Sequence, residues 1–254
     1  MFKYLDAYAA KFYFDRFRAN ENLLFDWHYN ILEATIKNAY IFENVTEIIS
    51  TQKIRKVLDM GCGNGHVSKN IARITGASCV GFDPNLSYKT LISVFKFNLL
   101  SFLRGQKGRV KIHRLNHNQY FSKKRNSKFD LIVDNCSVTH FDTKAEGESN
   151  AGWLFISQTI QKHLLPEGHF ISATDVSPSK RVNSEFCVQS GVINTFEKNS
   201  WKISRVDKIT VPTEFFPLKE FFNYLDEDFL RIPPPNTVEN SVLGITGFVA
   251  TVHK

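Results

Sequence analysis

The sequence predicts an α/β fold: a doubly wound, mostly parallel seven-stranded sheet with an antiparallel last strand, preceded by a helical N-terminal extension. Three observations predict it. From about residue 53 onward, short apolar runs alternate with amphipathic segments, the pattern left by strands and crossover helices of a parallel sheet. The first of those runs ends in a glycine cluster, Gly61-Cys62-Gly63-Asn64-Gly65, that opens the next amphipathic segment. Near the C-terminus two strand-like runs, 206–211 and 245–252, have no tightly joined crossover helix, which fits an antiparallel edge pair closing the sheet.

Taken in order, residues 1–50 read as helical. Tyr4, Tyr8, Phe12 and Phe17, then Leu24, Trp27, Ile31 and Ala34, recur at three- and four-residue spacing. The run 54–60 reads as the first strand. Val67, Ile71 and Ile74 mark one face of a helix that stops at Gly76. A second strand over 79–82 leads into a helix over 88–103, followed by strands over 110–115 and 129–133. A helix over 153–165 halts before Pro166, and 169–173 forms the fifth strand.

Composition bounds the function. At 254 residues, with 43% hydrophobic and 22% charged residues, the chain can bury a core and is not intrinsically disordered. No basic leader precedes an apolar stretch at the N-terminus, so no signal peptide is expected. The most apolar run, 91–103, contains Lys96 and Asn98 and is too short and too polar to span a bilayer. The cysteines Cys62, Cys79, Cys136 and Cys187 lie far apart, without paired ligand spacing. Neither a disulfide scaffold nor a zinc ribbon is expected, and the default compartment is cytoplasmic.

The most informative stretch is Val57-Leu58-Asp59-Met60-Gly61-Cys62-Gly63-Asn64-Gly65. Glycines there permit tight curvature and close approach of a ligand to the backbone. A turn after the first strand lies at the carboxyl edge of the sheet, where such folds bind ligands. The spacing is G-x-G-x-G with an acidic residue two positions before it, not the G-x-G-x-x-G of a dinucleotide fingerprint. Further landmarks follow. Asp83 ends the second strand before Pro84, where a carboxylate can accept from both hydroxyls of a ribose. Asn116 ends the third strand and can pair with an adenine edge. The run Phe129-Asp130-Leu131-Ile132-Val133-Asp134-Asn135-Cys136-Ser137-Val138-Thr139-His140-Phe141 supplies the fourth strand and its loop, and Leu164-Leu165-Pro166-Glu167-Gly168-His169-Phe170 turns into the fifth.

These landmarks together resemble the class I S-adenosylmethionine-dependent methyltransferases, a Rossmann-like family, over roughly residues 53–175. Gly247-Phe248-Val249-Ala250-Thr251 is similar to the family's last strand. The resemblance implies S-adenosyl-L-methionine as cofactor. It implies that Gly61, Cys62, Gly63 and Gly65 contact its methionine part, that Asp59 helps hold the amino acid moiety, and that Asp83, beside Pro84, binds the ribose. Asn116 stands where the family usually has an Asp facing the adenine, and Asn135 opens the loop beside the sulfonium. Pro166-Glu167-Gly168 departs from the more usual Pro-Gly-Gly. The implied organisation is one methyltransferase domain: a helical cap over 1–52, a cofactor-binding core over 53–175, and substrate-side insertions with closing strands over 176–254.

In such chemistry the methyl is already activated, so the protein mainly aligns a nucleophile and excludes water. A hydroxyl acceptor gains from a base near its proton. His140, in the loop after strand four, is the leading candidate; the competing reading is a structural histidine. Asp134 and Asp175 are further candidates. No metal is expected, since nothing in the spacing of these three fixes a coordination site. The loop lacks the Asn-Pro-Pro-Tyr pattern of amide and nucleobase amine methylases.

The net charge of +7 sits largely before strands one, three and four, at Lys53, Arg55, Lys56, Arg104, Lys107, Arg109, Lys111, Lys123, Lys124, Arg125 and Lys128. That pole is opposite the cofactor edge, so a nucleic-acid substrate is not expected; a solvated face or a docking surface for an acidic partner is. The leading expectation is methyl transfer to a small molecule or saccharide, oxygen slightly ahead of nitrogen. The alternatives are an RNA or protein methyltransferase and a catalytically silent cofactor-binding scaffold. The aromatic N-terminal helices and the insertion 213–241, with Phe215, Phe216, Phe221, Phe222, Tyr224 and Phe229, are expected to close over the mouth as the substrate pocket, or else to pack on the outer helices. The sequence specifies no oligomeric state.

Overall fold

A computed structural model describes residues 25–138, 151–176, 189–210 and 244–252. Helix α1 (Phe25–Thr51) leads into β1 (Lys56–Met60), α2 (His66–Thr75), β2 (Ser78–Phe82), α3 (Tyr88–Leu103), β3 (Arg109–His113), α4 (His117–Lys123) and β4 (Phe129–Asn135). Helix α5 (Ala151–Gln161), β5 (Leu164–Val176), α6 (Gln189–Lys198), β6 (Trp201–Thr210) and β7 (Gly244–Val252) complete it. The seven strands form one sheet in the order β3-β2-β1-β4-β5-β7-β6. The first five are parallel, and β7 lies antiparallel between β5 and β6. The order reverses between β1 and β4, and that switch point opens a crevice at the carboxyl ends of the strands.

Strand alternation divides the core into two layers. Val57, Leu131, Ile171 and Val249 face one side, where Tyr40, Ile41 and Val45 of α1, Val67 and Ile71 of α2 and Val94 of α3 cover them. Leu58, Ile132, Phe170 and Ala250 face the other, under Tyr120 and Phe121 of α4, Trp153 and Ile156 of α5 and Phe196 of α6. That second layer is aromatic. Phe170 stacks on Phe196 at 5.4 Å between ring centroids, and Phe248 meets both edge-on. The Trp201 indole donates to the Ser157 carbonyl at 2.9 Å, which satisfies its buried N–H.

The fold class and the order of elements agree with expectation, with four differences. Helix α5 stops at Gln161, and Leu164 already pairs with Phe129 in the sheet. The expected helix to residue 165 is therefore too long: sheet pairing captures the two leucines before Pro166. Helix α4 was not legible, being only seven residues long and held by a capping box between Asn116 and Gln119. The third strand ends at His113, so Asn116 is the cap of α4 and not a strand end. Finally, α6 does join β6 tightly, and β6 begins at Trp201, not 206.

Between Leu164 and His169 strand β5 bulges out of register with β4. At the tip Glu167 sits at φ 65°, a left-handed conformation that costs a side-chain-bearing residue roughly 1–2 kcal/mol. This is the position of the usual glycine in the related turn, and the departure is paid in backbone strain. Replacing Glu167→Gly should raise stability by about 0.5–1 kcal/mol, part of the relief being offset by glycine's greater freedom when unfolded. A rise in the urea midpoint at unchanged slope is the expected reading; a fall would show that the Glu167 side chain stabilises the bulge.

Candidate functional site

The site is built where β1, β2 and β4 end side by side. After Met60 the chain turns through Gly61, Gly63 and Gly65 at φ 59°, 49° and 70°, conformations open to glycine and costly for other residues. Gly65 caps α2, and the Cys62 carbonyl accepts from its N–H at 2.7 Å. The Cys62 N–H in turn donates to the Phe82 carbonyl of β2 at 3.0 Å. The turn is thereby tied to the neighbouring strand end.

Asp83 follows β2 directly and is half-buried. Its Oδ2 accepts from the Gly63 N–H at 3.1 Å and its Oδ1 from the Asn85 N–H at 2.7 Å. Each carboxylate oxygen has a second lone pair, so a fixed acceptor remains available for two hydroxyls. A Cβ placed on Gly63 would meet no atom within 4 Å. There is open room over the turn beside this carboxylate, as a nucleoside-bearing cofactor requires.

Asp59 and Asp134 are of a different kind. Both are buried, one on each face of the sheet. The Ser68 hydroxyl donates to Asp59 Oδ2 at 2.5 Å. Burial pushes the Asp59 carboxyl up to about 7; the Ser68 hydrogen bonds oppose that and the nearby Asp134 and Asp83 add to it. Asp134 accepts from the Ser137 N–H at 2.9 Å, the Ser137 hydroxyl at 2.6 Å and the Ser172 hydroxyl at 2.9 Å. Burial raises its pKa as well, against those bonds. Asp134 thus holds the loop after β4 in place, and its donors leave it a structural acceptor. Burial and the carboxylates Asp59 and Asp83 also raise the Cys62 thiol, which keeps it protonated and unreactive.

Asn135 ends β4, and its Nδ2 donates to Asn38 Oδ1 of α1 at 2.8 Å. The Phe42 ring of α1 lies 6.2 Å from that of His66, the first residue of α2. The N-terminal helix therefore reaches the rim of the glycine turn. Asn116 is exposed at the start of α4, its Oδ1 accepting from the Gln119 N–H at 2.9 Å; the amide NH₂ is the end left to recognise a ligand. Pro84 is exposed, and its carbonyl accepts from Arg114 Nε at 3.3 Å.

The structure thus brings Asp59, Gly61, Cys62, Gly63, Gly65, Asp83 and Asn135 to one sheet edge. His140 lies outside the described residues, as do residues 1–24 and the insertion 213–241, and the backbone of Asp175 pairs with Ile245 within β5. Sequence reasoning missed Ser68, Ser137, Asn38 and Gly81. A Cβ on Gly81 would stand 2.7 Å from Cys62 Sγ, so β2 needs glycine there for the turn to pass. Ser68, nine residues after Asp59, had a weak signal as a polar residue on an otherwise apolar helix face. The partners of Ser137 and Asn38 are 77 and 97 residues away in sequence, beyond any local pattern.

The buried Asp59 makes stability depend on pH. With its carboxyl raised from 3.8 to about 7, the native state holds a proton that the unfolded chain releases between about pH 4 and pH 7. The stability this group contributes is present below pH 4 and is lost as pH rises through 7, by at most about 1.4 kcal/mol per pH unit. Asp59→Asn keeps an acceptor for Ser68 and removes the titration. Relative to wild type, this variant should gain stability steadily from pH 5 to pH 7.5 in urea titrations. Parallel curves for the two proteins would sink the assignment.

A family model described as a methyltransferase domain matches residues 32–203. No curated protein matches the sequence. Among solved structures, the chain is similar to the (4+2)-cyclase SpnF, at 15% identity and a TM-score of 0.58 over 84% of this chain and 81% of that one. It is similar to an O-methyltransferase from a trans-AT polyketide synthase of Brevibacillus brevis in complex with S-adenosyl-L-homocysteine, at 16% identity and TM-score 0.54 over 83% and 71%. A methyltransferase of Thiobacillus denitrificans, also in complex with S-adenosyl-L-homocysteine, matches at 16% identity and TM-score 0.53 over 83% and 90%. At these identities the structures speak for the fold alone, and the match of the family model over most of the chain carries the rest: the chain belongs to the class I S-adenosylmethionine-dependent methyltransferases, with S-adenosyl-L-methionine as its cofactor.

Proposed function

We propose that the enzyme transfers a methyl group to a small molecule or saccharide, with a hydroxyl oxygen as the preferred acceptor. The cofactor half of this reading rests on the position of Asp83, braced by two backbone N–H groups at the end of β2 with open space over Gly63 beside it, and the acceptor half on the placement of charge. In this reading Asp83 accepts from the two ribose hydroxyls. The turn Gly61, Cys62, Gly63 and Gly65 follows the methionine part, Asn116 meets the adenine edge, and Asn135 borders the sulfonium. Asp59 acts from below, through Ser68, by fixing the turn from the buried side.

Bound S-adenosylmethionine supplies an activated sulfonium methyl. The chain's own work is to hold an acceptor in line with that methyl, exclude water, and receive the acceptor's proton. His140 takes that proton at a ring nitrogen. Support for a small acceptor comes from the placement of charge: among the described residues the lysines and arginines cluster mainly at the amino ends of β1, β3 and β4, while at the carboxyl edge Asp83 stands with Arg114 beside Pro84. A nucleic-acid substrate would need cations around the mouth itself. Two neighbours in fold point the same way. One is an O-methyltransferase, and another a geranyl diphosphate methyltransferase in complex with GPP and sinefungin, at TM-score 0.57 and 14% identity. The experiment that tests acceptor class is a methyl-transfer screen with labelled S-adenosylmethionine over hydroxylated metabolites, saccharides, RNA and protein; transfer to RNA or protein alone would overturn the reading.

Two substitutions test the residue roles. Asp83→Ala should weaken S-adenosylmethionine binding by about 1.5–3 kcal/mol, the worth of hydrogen bonds to a charged acceptor. Calorimetry on the folded variant reads it, and unchanged affinity would remove the ribose assignment. His140→Ala should lower turnover roughly 10²–10⁴-fold with cofactor affinity nearly intact. Normal turnover per folded molecule with a lowered melting temperature would instead make His140 a structural residue.

A further inference from the structure

Helix α3 turns Thr90, Val94 and Ser101 to the sheet, with the half-buried Phe97 packing on the core beside them. Beside them Asn98 clamps the edge strand: its Nδ2 donates to the Val110 carbonyl at 2.8 Å and its Oδ1 accepts from the Val110 N–H at 2.9 Å. The face it turns outward is apolar. Tyr88 is 77% exposed, Phe95 67%, Phe102 68% and Leu103 69%, with Leu91 and Leu99 also exposed. At 100° per residue these six side chains fall within about 120° of one another, a stripe about 24 Å long over sixteen residues. Exposed apolar surface of this extent on a folded chain marks an interaction site.

The charge around the stripe says what kind. Between Asp83 and Asp130 there is no Asp or Glu, while eleven Lys and Arg residues fall in that interval. Lys89 and Lys96 lie on α3 itself, Arg104 caps its end, and Lys107, Lys111 and Arg114 follow it; all six are exposed. Three aromatic rings and three leucines on one face, bordered by cations and no anion, are the chemistry of a helix lying in the interface of an anionic membrane. Its apolar side enters the acyl boundary, and its lysines meet lipid phosphates. Nucleic acid would match the charge but leave the leucines and phenylalanines unpaired. A second copy packed two-fold on this face would set the same cations against one another.

We infer that α3 and the flanking basic edge at β3 form a docking surface for anionic lipid bilayers. The helix lies on the membrane and does not cross it: among the described residues no helix is long and apolar enough to span.

The test is vesicle flotation with the full chain, using phosphatidylcholine vesicles with and without about one third phosphatidylserine, in low and high salt. Binding to the serine-lipid vesicles that falls at high salt is expected. Phe95→Ser with Phe102→Ser should weaken it tenfold or more, as should Lys89→Gln with Lys96→Gln. Neither pair should alter cofactor affinity. No flotation, or equal flotation on neutral vesicles, would overturn the inference. So would a dimer in sedimentation that the Phe95→Ser, Phe102→Ser variant dissolves, because the face would then belong to a second copy. A fall of several degrees in that variant's melting temperature without vesicles would show the stripe covered by its own chain, and would also overturn it.

Discussion

Three strand ends meet so closely after β1 that the glycine turn has no spare atom. A Cβ on Gly61 would overlap the Cβ of Ser137, and a Cβ on Gly81 would press on Cys62. The loop after β4, the turn after β1 and the last residues of β2 therefore form one interlocked unit. The Ser137 hydroxyl makes the lock explicit: it lies 2.6 Å from Asp134 Oδ1 and 2.9 Å from the Met60 carbonyl, its one proton shared between the two acceptors. Because Gly63 and Asp83 are positioned by this unit, every feature that holds a ligand inherits its precision from close packing between strands far apart in sequence.

Two buried carboxylates hold the unit from opposite faces, and their cost is met differently. Asp134 receives three or more donors and is well satisfied. Asp59 has mainly Ser68 and feels the other two carboxylates, so it keeps a proton near neutral pH. Keeping its proton, Asp59 adds no charge to the carboxyl edge, and the lysines and arginines behind the net charge of +7 gather largely at the opposite pole, before β1, β3 and β4.

The same sheet thus presents two unlike surfaces. At the switch point it offers polar, preorganised backbone and carboxylate groups, and along β3 an apolar helix in a cationic frame. The second follows from how α3 is attached. Asn98 satisfies the open edge of β3 by side-chain hydrogen bonds, which covers an otherwise exposed strand edge. Fastened by that amide and by Val94 and Phe97 against the core, the helix leaves Leu91, Phe95, Leu99, Phe102 and Leu103 outside.

By itself the sequence determined the fold class, the order of the strands with helices α2, α3 and α5 between them, and the glycine turn with Asp59 and Asp83. These are local signals: strand alternation, a 3.6-residue period, and glycines at positions that need positive φ. It also located helix α3 over residues 88–103, though not which face is outside, because that depends on Asn98 finding Val110 across the edge. The tertiary structure alone decided the insertion of β7 between β5 and β6, the early start of β5 at Leu164, and the strained tip at Glu167. It alone brought Asn38 to Asn135, Ser137 to Gly61, and Ser172 to Asp134. Those contacts join residues dozens of positions apart, where neither periodicity nor turn chemistry carries information; they exist only because the sheet closes its strands in a non-sequential order.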